Sequence, residues 1–474
     1  MSSDLKPETD LNIHSSLLQL ISSDQAYHYG IVPIELKDHV LYLKTNNPSE
    51  ELRLELNIIL GRTIELIPET LEKIQKYLST NYRKSRESVN EDFHYTLDFL
   101  EKLLLTAKDI GSSDIHFEPY EEKCRVRFRL DGKLKEYYIV PLDEYPIIVN
   151  KIKIRAGLDI SEKRLPQDGR ITVKSLQDEF DIRVSTLPTL HGEKIVLRIL
   201  SKDANHIELD DLGFSTKELE VYKEGIKNPN GIILISGPTG SGKTTTLYAT
   251  LKLLNDDKTN ILTIEDPIEY TLEGINQVQL RENIGMDFPN ALRTFLRQDP
   301  DIIMVGEIRD VTTANMAIRA ALTGHLVLST IHTNSAWATI SRLIDMGIAP
   351  FLIASTLNVS IAQRLVRKLC PRCKQKESVT KEVFPNSFKI PNDFSEHFIA
   401  IGCNHCHHTG YLGRKAIYEI VPITKELLPY IKNNDLEIDG YLAEHKIATL
   451  KTNAMEMVIK GTTSIEEVYP LLTD

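Results

Sequence analysis

No eight residues constrain this chain more than "GPTGSGKT" (Gly237 to Thr244). The segment satisfies G-x-x-x-x-G-K-[ST], follows the apolar run Gly231 to Ser236, and opens a helix-forming run, Thr244 to Leu254. A strand, glycine loop and helix in that order let backbone N–H groups converge on phosphate oxygens, and the helix N-terminus adds partial positive charge. Gly237, Pro238, Thr239, Gly240, Ser241, Gly242, Lys243, Thr244 and Thr245 are therefore the expected ATP contacts. Lys243 should reach the β- and γ-phosphates, and the Thr244 hydroxyl should bind Mg²⁺. The strands that must flank such a unit are present: "NILTIE", "DIIMVG" and "LVLSTI" are near-continuous apolar runs separated by helical patterns. Runs of that kind are buried on both faces, which predicts an α/β fold around a parallel sheet.

A phosphate loop needs a carboxylate near its magnesium and a group that orients water. "ILTIEDPIEY" puts Glu265, Asp266 and Glu269 just after one apolar strand, and "RQDPDIIMVGEIRD" puts Glu307 just after another. Ligands bind at the carboxyl ends of such strands, so both segments are expected in one crevice. Spacing does not decide their roles; Glu265 is favoured for water and Glu307 for the metal shell. "TGHLVLSTIHTN" sets His325 at the amino end of a buried strand and His332 just past its carboxyl end. Seven extended positions separate the two by roughly 23 Å, so they cannot share a metal. His332 is expected at the nucleotide, donating to the γ-phosphate and sensing hydrolysis. His325 lies farther off and is expected to help shape or couple that site.

Cys370/Cys373 and Cys403/Cys406 form two C-x-x-C pairs 29 residues apart. Four thiolates give a closed, tetrahedral Zn²⁺ site of structural type, with His405, His407 or His408 as possible substitutes for one ligand. Cys124 lies in an alternating strand as a small core residue. Upstream, residues 93–203 predict a compact α+β domain: a helix in "LDFLEKLLLTAK", a hairpin turning at Asp131-Gly132, a second helix, and strands in "GRITV", "DEFDIRVSTL" and "EKIVLRIL". Residues 1–80 predict a small mixed domain with strands at His39 to Thr45 and Thr63 to Glu69 and a helix in "TLEKIQKYL". The polar run at 81–92 and the stretch from Ser201 to Ser215 predict linkers. The ATPase domain then spans 204–474, with a zinc unit at about 366–414 and a helical tail at 415–474.

At 474 residues the chain is too long for one ordinary core. A 41% hydrophobic and 26% charged composition is that of a soluble globular protein. The net charge of −11 argues against coating nucleic acid, which needs a basic face. No window offers the roughly 18 uncharged apolar residues of a membrane span, and "MSSDLKPETD" is unlike a secretory signal. A cytoplasmic location is expected.

"GPTGSGKTTT", "TIEDPIEY", "RQDPDIIMVGEIRD" and "TGHLVLSTIHTN" occur in this order. Together they resemble the Walker A, Asp box, Walker B and His box of the secretion and pilus traffic ATPases, over roughly residues 95–474. The resemblance implies a homo-hexameric, RecA-like P-loop ATPase with a PAS-like preceding domain, and makes a Walker B ending in Gly-Glu ordinary. Arg170 and Arg183 resemble family arginines that reach the phosphates across the domain gap; Arg293 and Arg297 are further candidates. The implied cycle is closure on ATP, arginine engagement, hydrolysis and reopening. The zinc unit is usual in assembly and secretion members and usually missing from retraction members. A type II secretion ATPase driving pseudopilin assembly is the first expectation, and a type IV pilus extension ATPase the alternative. In either, residues 1–80 would dock onto cytoplasmic domains of inner-membrane platform proteins, with membrane contact only through those partners. A nucleic-acid motor would need a basic channel, and a non-hydrolysing scaffold would not need Lys243, Glu265 and Glu307 together.

Overall fold

The computed structural model describes residues 99–174, 179–200, 208–391, 394–435 and 437–473, most of 29–71, and scattered positions between 17 and 78. The expected linker at 81–92 and the first part of the one at 201–215 lie outside these residues. Two compact units are distinguished. One takes the described residues up to 78 with 119–127 and 136–145; the other takes 99–118, 128–135 and those from 146 on.

In the first unit, β1 (Ile31–Lys37), β2 (Val40–Thr45) and β3 (Thr63–Pro68) form a sheet in that order. β1 pairs antiparallel and β3 parallel to β2. The parallel step requires a crossover, which the helix Glu50–Leu60 supplies. Ser49 caps its start by accepting from the Leu52 N–H, and Gly61 ends it in the left-handed region at φ 61°. Alternation in β2 turns Leu41 and Leu43 inward against Leu52, Leu56 and Ile64.

The α+β region contains the helices Phe99–Asp109 and Tyr145–Ala156 and six strands: β4 (Asp114–Pro119), β5 (Lys123–Leu130), β6 (Lys133–Pro141), β7 (Gln167–Lys174), β8 (Glu179–Thr189) and β9 (Gly192–Leu200). β4, β9, β8 and β7 are joined antiparallel in that order. The expected turn at Asp131-Gly132 carries two positive φ values, 47° and 85°, as a tight hairpin requires. β4 has no counterpart in the sequence reading. All six of its residues are buried, including Asp114, His116 and Glu118, so acids occupy positions where a periodicity search expects apolar side chains.

The seven-stranded sheet carries the functional elements. Its strands are β10 (Gly231–Ser236), β11 (Ile261–Glu265), β12 (Asn276–Gln279), β13 (Ile302–Val305), β14 (Leu326–Ile331), β15 (Leu357–Leu369) and, after β16 (Gln375–Ser378) and β17 (Glu396–Ile399), β18 (Tyr411–Pro422). The order is β12-β11-β13-β14-β10-β15-β18. All neighbours are parallel except β18, which runs antiparallel to β15. In β10, Ile232 and Leu234 enter the core on one face while Ile233 and Ile235 enter the core on the other. Each such burial contributes about 1.5–3 kcal/mol, so this strand has no solvent face to lose.

One expectation is corrected here. The helical tail does not begin at 415, because residues 411–422 form β18 and the first helical turn after it is Lys425–Leu427. "AIYEIVP" is a run of strand type, apolar on both sides of Glu419: Ile417 and Val421 face one core, while Tyr418 and Ile420 face the other. Helices Leu450–Ile459 and Ile465–Leu472 then supply the tail. Among the described residues no helix is long and apolar enough to cross a membrane.

Candidate active site

The carboxyl ends of β10, β11, β13 and β14 hold the phosphate loop, Glu265, Glu307 and His332. After β10 the chain turns through Gly237–Gly242 into the helix Lys243–Leu254. Gly237 sits at φ 147°, and a Cβ there would meet the Gln363 carbonyl at 2.5 Å and the Ser241 Oγ at 2.6 Å. Only glycine fits that approach. Lys243 Nζ donates to the loop's own carbonyls, Gly237 O at 2.8 Å and Pro238 O at 3.0 Å. Burial lowers its pKa; the Glu307 charge opposes that shift and Arg364 adds to it. The buried Ser241 Oγ has no hydrogen-bond partner. An ammonium parked on carbonyls, an unpaired hydroxyl and a glycine cradle together fit a phosphate group. Thr244 is exposed at the first turn of the helix.

The two carboxylates have different surroundings. Glu265 closes β11 and is 3% exposed. It accepts from Thr263 Oγ1 at 2.6 Å, from Gln277 Nε2 at 3.1 Å and from the Tyr248 hydroxyl. Burial, then the charge of Glu265, pushes the Tyr248 phenol far up, so it stays protonated and donates. Glu307 follows β13 across Gly306 and stands beside His332, whose Nε2 lies 3.3 Å from its Oε2; Arg309 also donates to it. The register explains this juxtaposition. Thr330 Oγ1 donates to Gly306 O at 2.7 Å and the Ile308 N–H donates to Thr330 O at 2.9 Å, which ties the two strand ends together. Glu307, not Glu265, is therefore the acid that faces both His332 and the field of Lys243.

His332 is half exposed and borders a cleft of about 440 Å³ with Gly237, Pro238, Asn334, Arg342 and Asp345. His325 lies at the amino end of β14, where the sequence placed it, away from the phosphate loop. Its Nδ1 is 2.8 Å from Ala320 O and 3.2 Å from Thr323 Oγ1, at the C-terminus of the helix Val311–Leu322. Ala320 O also accepts from the Thr323 and His325 N–H groups and from Thr323 Oγ1, so the ring joins a crowded helix end.

Of the arginines, Arg183 reaches the acidic segment: it donates to Ile268 O at 2.9 Å and lies 3.5 Å from the Glu269 carboxylate. Arg170 is mostly exposed and pairs with Asp181 at 2.5 Å. Arg293 donates to Asn290 Oδ1, and Arg297 to the Arg293 carbonyl. Two residues at the loop escaped the sequence reading. Gln363 accepts from Thr246 Oγ1 at 2.9 Å, and Arg364 donates to Asn334 O at 2.9 Å. Both lie on β15, and only the pairing of β15 with β10 brings them to the phosphate loop.

Cys370, Cys373, Cys403 and Cys406 converge, with all four sulfurs within 4.8 Å of one another. The 370–403, 373–406 and 403–406 separations are 3.9, 3.8 and 3.8 Å. Thiolates about 2.3 Å from a tetrahedral zinc would stand roughly 3.8 Å apart, so the donor set fits such an ion. The N–H groups of Gly402, Cys403 and Gly410 point at these sulfurs. His405, His407 and His408 lie outside the group, and Cys124 is fully buried in β5.

A family model described as type II/IV secretion system protein matches residues 89–470, and one described as the MshEN domain matches residues 7–88. The chain is 39% identical to the type IV pilus assembly ATPase PilB of Myxococcus xanthus, over 97% of this chain and 87% of that one. It is 47% identical to the type II secretion system protein E of Pseudomonas aeruginosa, over 76% of this chain and 72% of that one. Among solved structures, the ATPase DotB of Legionella pneumophila superposes at a TM-score of 0.61 with 22% identity, covering 81% of this chain and 98% of the other, a likeness of fold.

Proposed function

The chain belongs to the type II/IV secretion system protein family and is an ATP hydrolase, and from that premise we propose a cytoplasmic, homo-hexameric motor that drives assembly of pilin-like subunits. The observation that carries this reading is the Glu307–His332 pair at the mouth of the loop that holds Lys243. Lys243 exchanges the carbonyls of Gly237 and Pro238 for the β- and γ-phosphates, while the loop N–H groups of Gly237 and of Thr239 to Thr245 hold the rest of the chain of phosphates. Thr244 and Glu307 would hold Mg²⁺, which neutralises charge developing on the transferred phosphoryl group. Glu265 orients the attacking water once one of its three donors lets go, and His332 donates to the γ-phosphate and registers its loss. Arg170 and Arg183, from a PAS-like domain at 93–203, close on the phosphates of a RecA-like domain at 204–474. Cys370, Cys373, Cys403 and Cys406 would hold Zn²⁺ in a closed, structural site. Residues 1–80 dock onto inner-membrane platform proteins, and 81–92 link them to the motor.

Type II secretion is the first machine proposed, with pseudopilin as the subunit moved. Pilus extension is the second, since relatives of both kinds align over nearly the whole chain, the Myxococcus pilus ATPase over 97% and the Aeromonas hydrophila secretion protein over 94%. Quantitative mass spectrometry of shed and secreted proteins from cells carrying Lys243→Ala separates the two. Loss of exported enzymes with major pilin unchanged is the result expected of a secretion motor. Loss of major pilin with export intact overturns that choice in favour of pilus extension, and no change in either set sinks both.

A further inference from the structure

Glu419, on β18, is a buried acid that the proposed chemistry does not use. It is 4% exposed and meets two backbone N–H groups from different parts of the chain. One carboxylate oxygen accepts from Ala336 at 2.8 Å, and the other accepts from Leu450 at 3.1 Å. Ala336 belongs to the segment leaving His332. Leu450 opens the helix Leu450–Ile459, so the carboxylate also stands at that helix's N-terminus. Burial raises the Glu419 pKa, and the two N–H donors and the Arg364 charge pull against it. A lone apolar side chain would avoid that desolvation cost, but it would leave both N–H groups unpaired.

The rest of the 332–337 segment is held as closely. Asn334 O accepts from Arg364, Ser335 O from Thr333 at 3.0 Å, and Ala336 O from Ser360 at 2.7 Å. Trp337 Nε1 donates to Asp435 O at 2.8 Å. Among the described residues, hydrogen bonds tie the segment to the C-terminal part of the chain at two places, through the Ala336 N–H to Glu419 and through the Trp337 indole to Asp435 O. We propose that Glu419 is a positioning residue that couples the His332 segment to the helix Leu450–Ile459, so that phosphate occupancy at Lys243 is transmitted to the C-terminal tail. The inference rests on the reading of His332 as the residue that meets the γ-phosphate.

Hydrogen exchange of the full chain, with and without a non-hydrolysable ATP analogue whose binding is followed by fluorescence, tests the link. In the unaltered protein the analogue should slow exchange at least threefold in peptides covering both 332–337 and 450–459. In Glu419→Gln the first peptide should keep its response and the second should lose it, with kcat falling several-fold and KM within twofold. Thr449→Ala removes the cap of the same helix, in which Thr449 accepts from Thr452 N–H, and leaves the carboxylate alone. It should loosen 450–459 without abolishing its response. A response at 332–337 with none at 450–459 in the unaltered chain overturns the coupling and leaves the nucleotide reading standing. An unchanged 450–459 response in Glu419→Gln, or its loss in Thr449→Ala, also overturns it. Bound analogue with no response at either peptide overturns the His332 reading and the coupling with it.

Discussion

Glu307 and Glu265 differ in what holds them, and that difference makes their substitutions separable. Glu307→Gln keeps the side-chain shape beside His332 but removes the charge that faces Lys243. Hydrolysis should fall on the order of 10²-fold or more, with binding of a fluorescent ATP analogue kept within threefold, as phosphate release and equilibrium titration would show. Tyr248→Phe acts elsewhere, by stripping one donor from a buried carboxylate. The cost should be about 1–3 kcal/mol, measured as a lower urea midpoint; an unchanged midpoint would mean that water replaces the phenol. Residues of this kind mark the boundary of what a sequence shows. Lys243, Glu307, His332 and the four cysteines were legible because glycine spacing, strand ends and C-x-x-C pairs are local patterns. Gln363, Arg364 and Glu419 were not, because each acquires its partners only through the pairing of β15 and β18 with the sheet.

At the scale of elements, two local devices should be separately removable. The cysteine cluster joins two turns that sequence places far apart, while the stretch between them has its own apolar contacts, Phe384 with Phe388 and Phe394. Chelation, or Cys370→Ser, should release about one metal ion per chain by elemental analysis and raise exchange across 370–410 while β10 to β14 stay protected. Retained protection in the metal-free chain would show that β16 and β17 suffice. In the N-terminal sheet, Lys44 Nζ lies 3.0 Å from Glu69 at the end of β3. Hydrogen bonds from Lys44 and the Thr70 N–H lower the Glu69 pKa from 4.5 to about 2. A folded value below the unfolded one means stability that is fully present above pH 4.5 and lost as pH falls towards 2. The urea-midpoint difference between the unaltered chain and Glu69→Gln should therefore be constant near neutrality and shrink below pH 4.5. The helix Glu50–Leu60 is hard to read in sequence although Ser49 and Gly61 punctuate it, because its apolar residues alternate as Leu52, Leu54 and Leu56 before crowding into "IIL". β18 reads ambiguously as helix or strand because its short apolar runs on either side of Glu419 are buried on both faces and carry no clear period.

For the whole molecule, the geometry of one chain leaves the proposed arginine step unfinished. Arg183 is engaged with Ile268 O and Glu269, at the acidic segment beside β11, while Lys243 bonds to Gly237 and Pro238 carbonyls on the phosphate loop. If the arginine reaches phosphate only when chains assemble and the domains close, catalysis must depend on concentration while nucleotide binding need not. Specific activity should then rise with protein concentration in step with the hexamer fraction seen by light scattering. Arg183→Ala should lower kcat by about 10³-fold, the scale of a phosphate-directed arginine, and leave ATP-analogue affinity and the hexamer fraction unchanged. Arg183→Lys should not restore it, because an ammonium lacks the planar fork that contacts two oxygens at once. If Arg183→Ala instead dissolves the hexamer at unchanged activity per assembled chain, Arg183 holds the acidic segment and the phosphate-directed cation lies elsewhere, with Arg364 and Arg342 at the cleft the next to test.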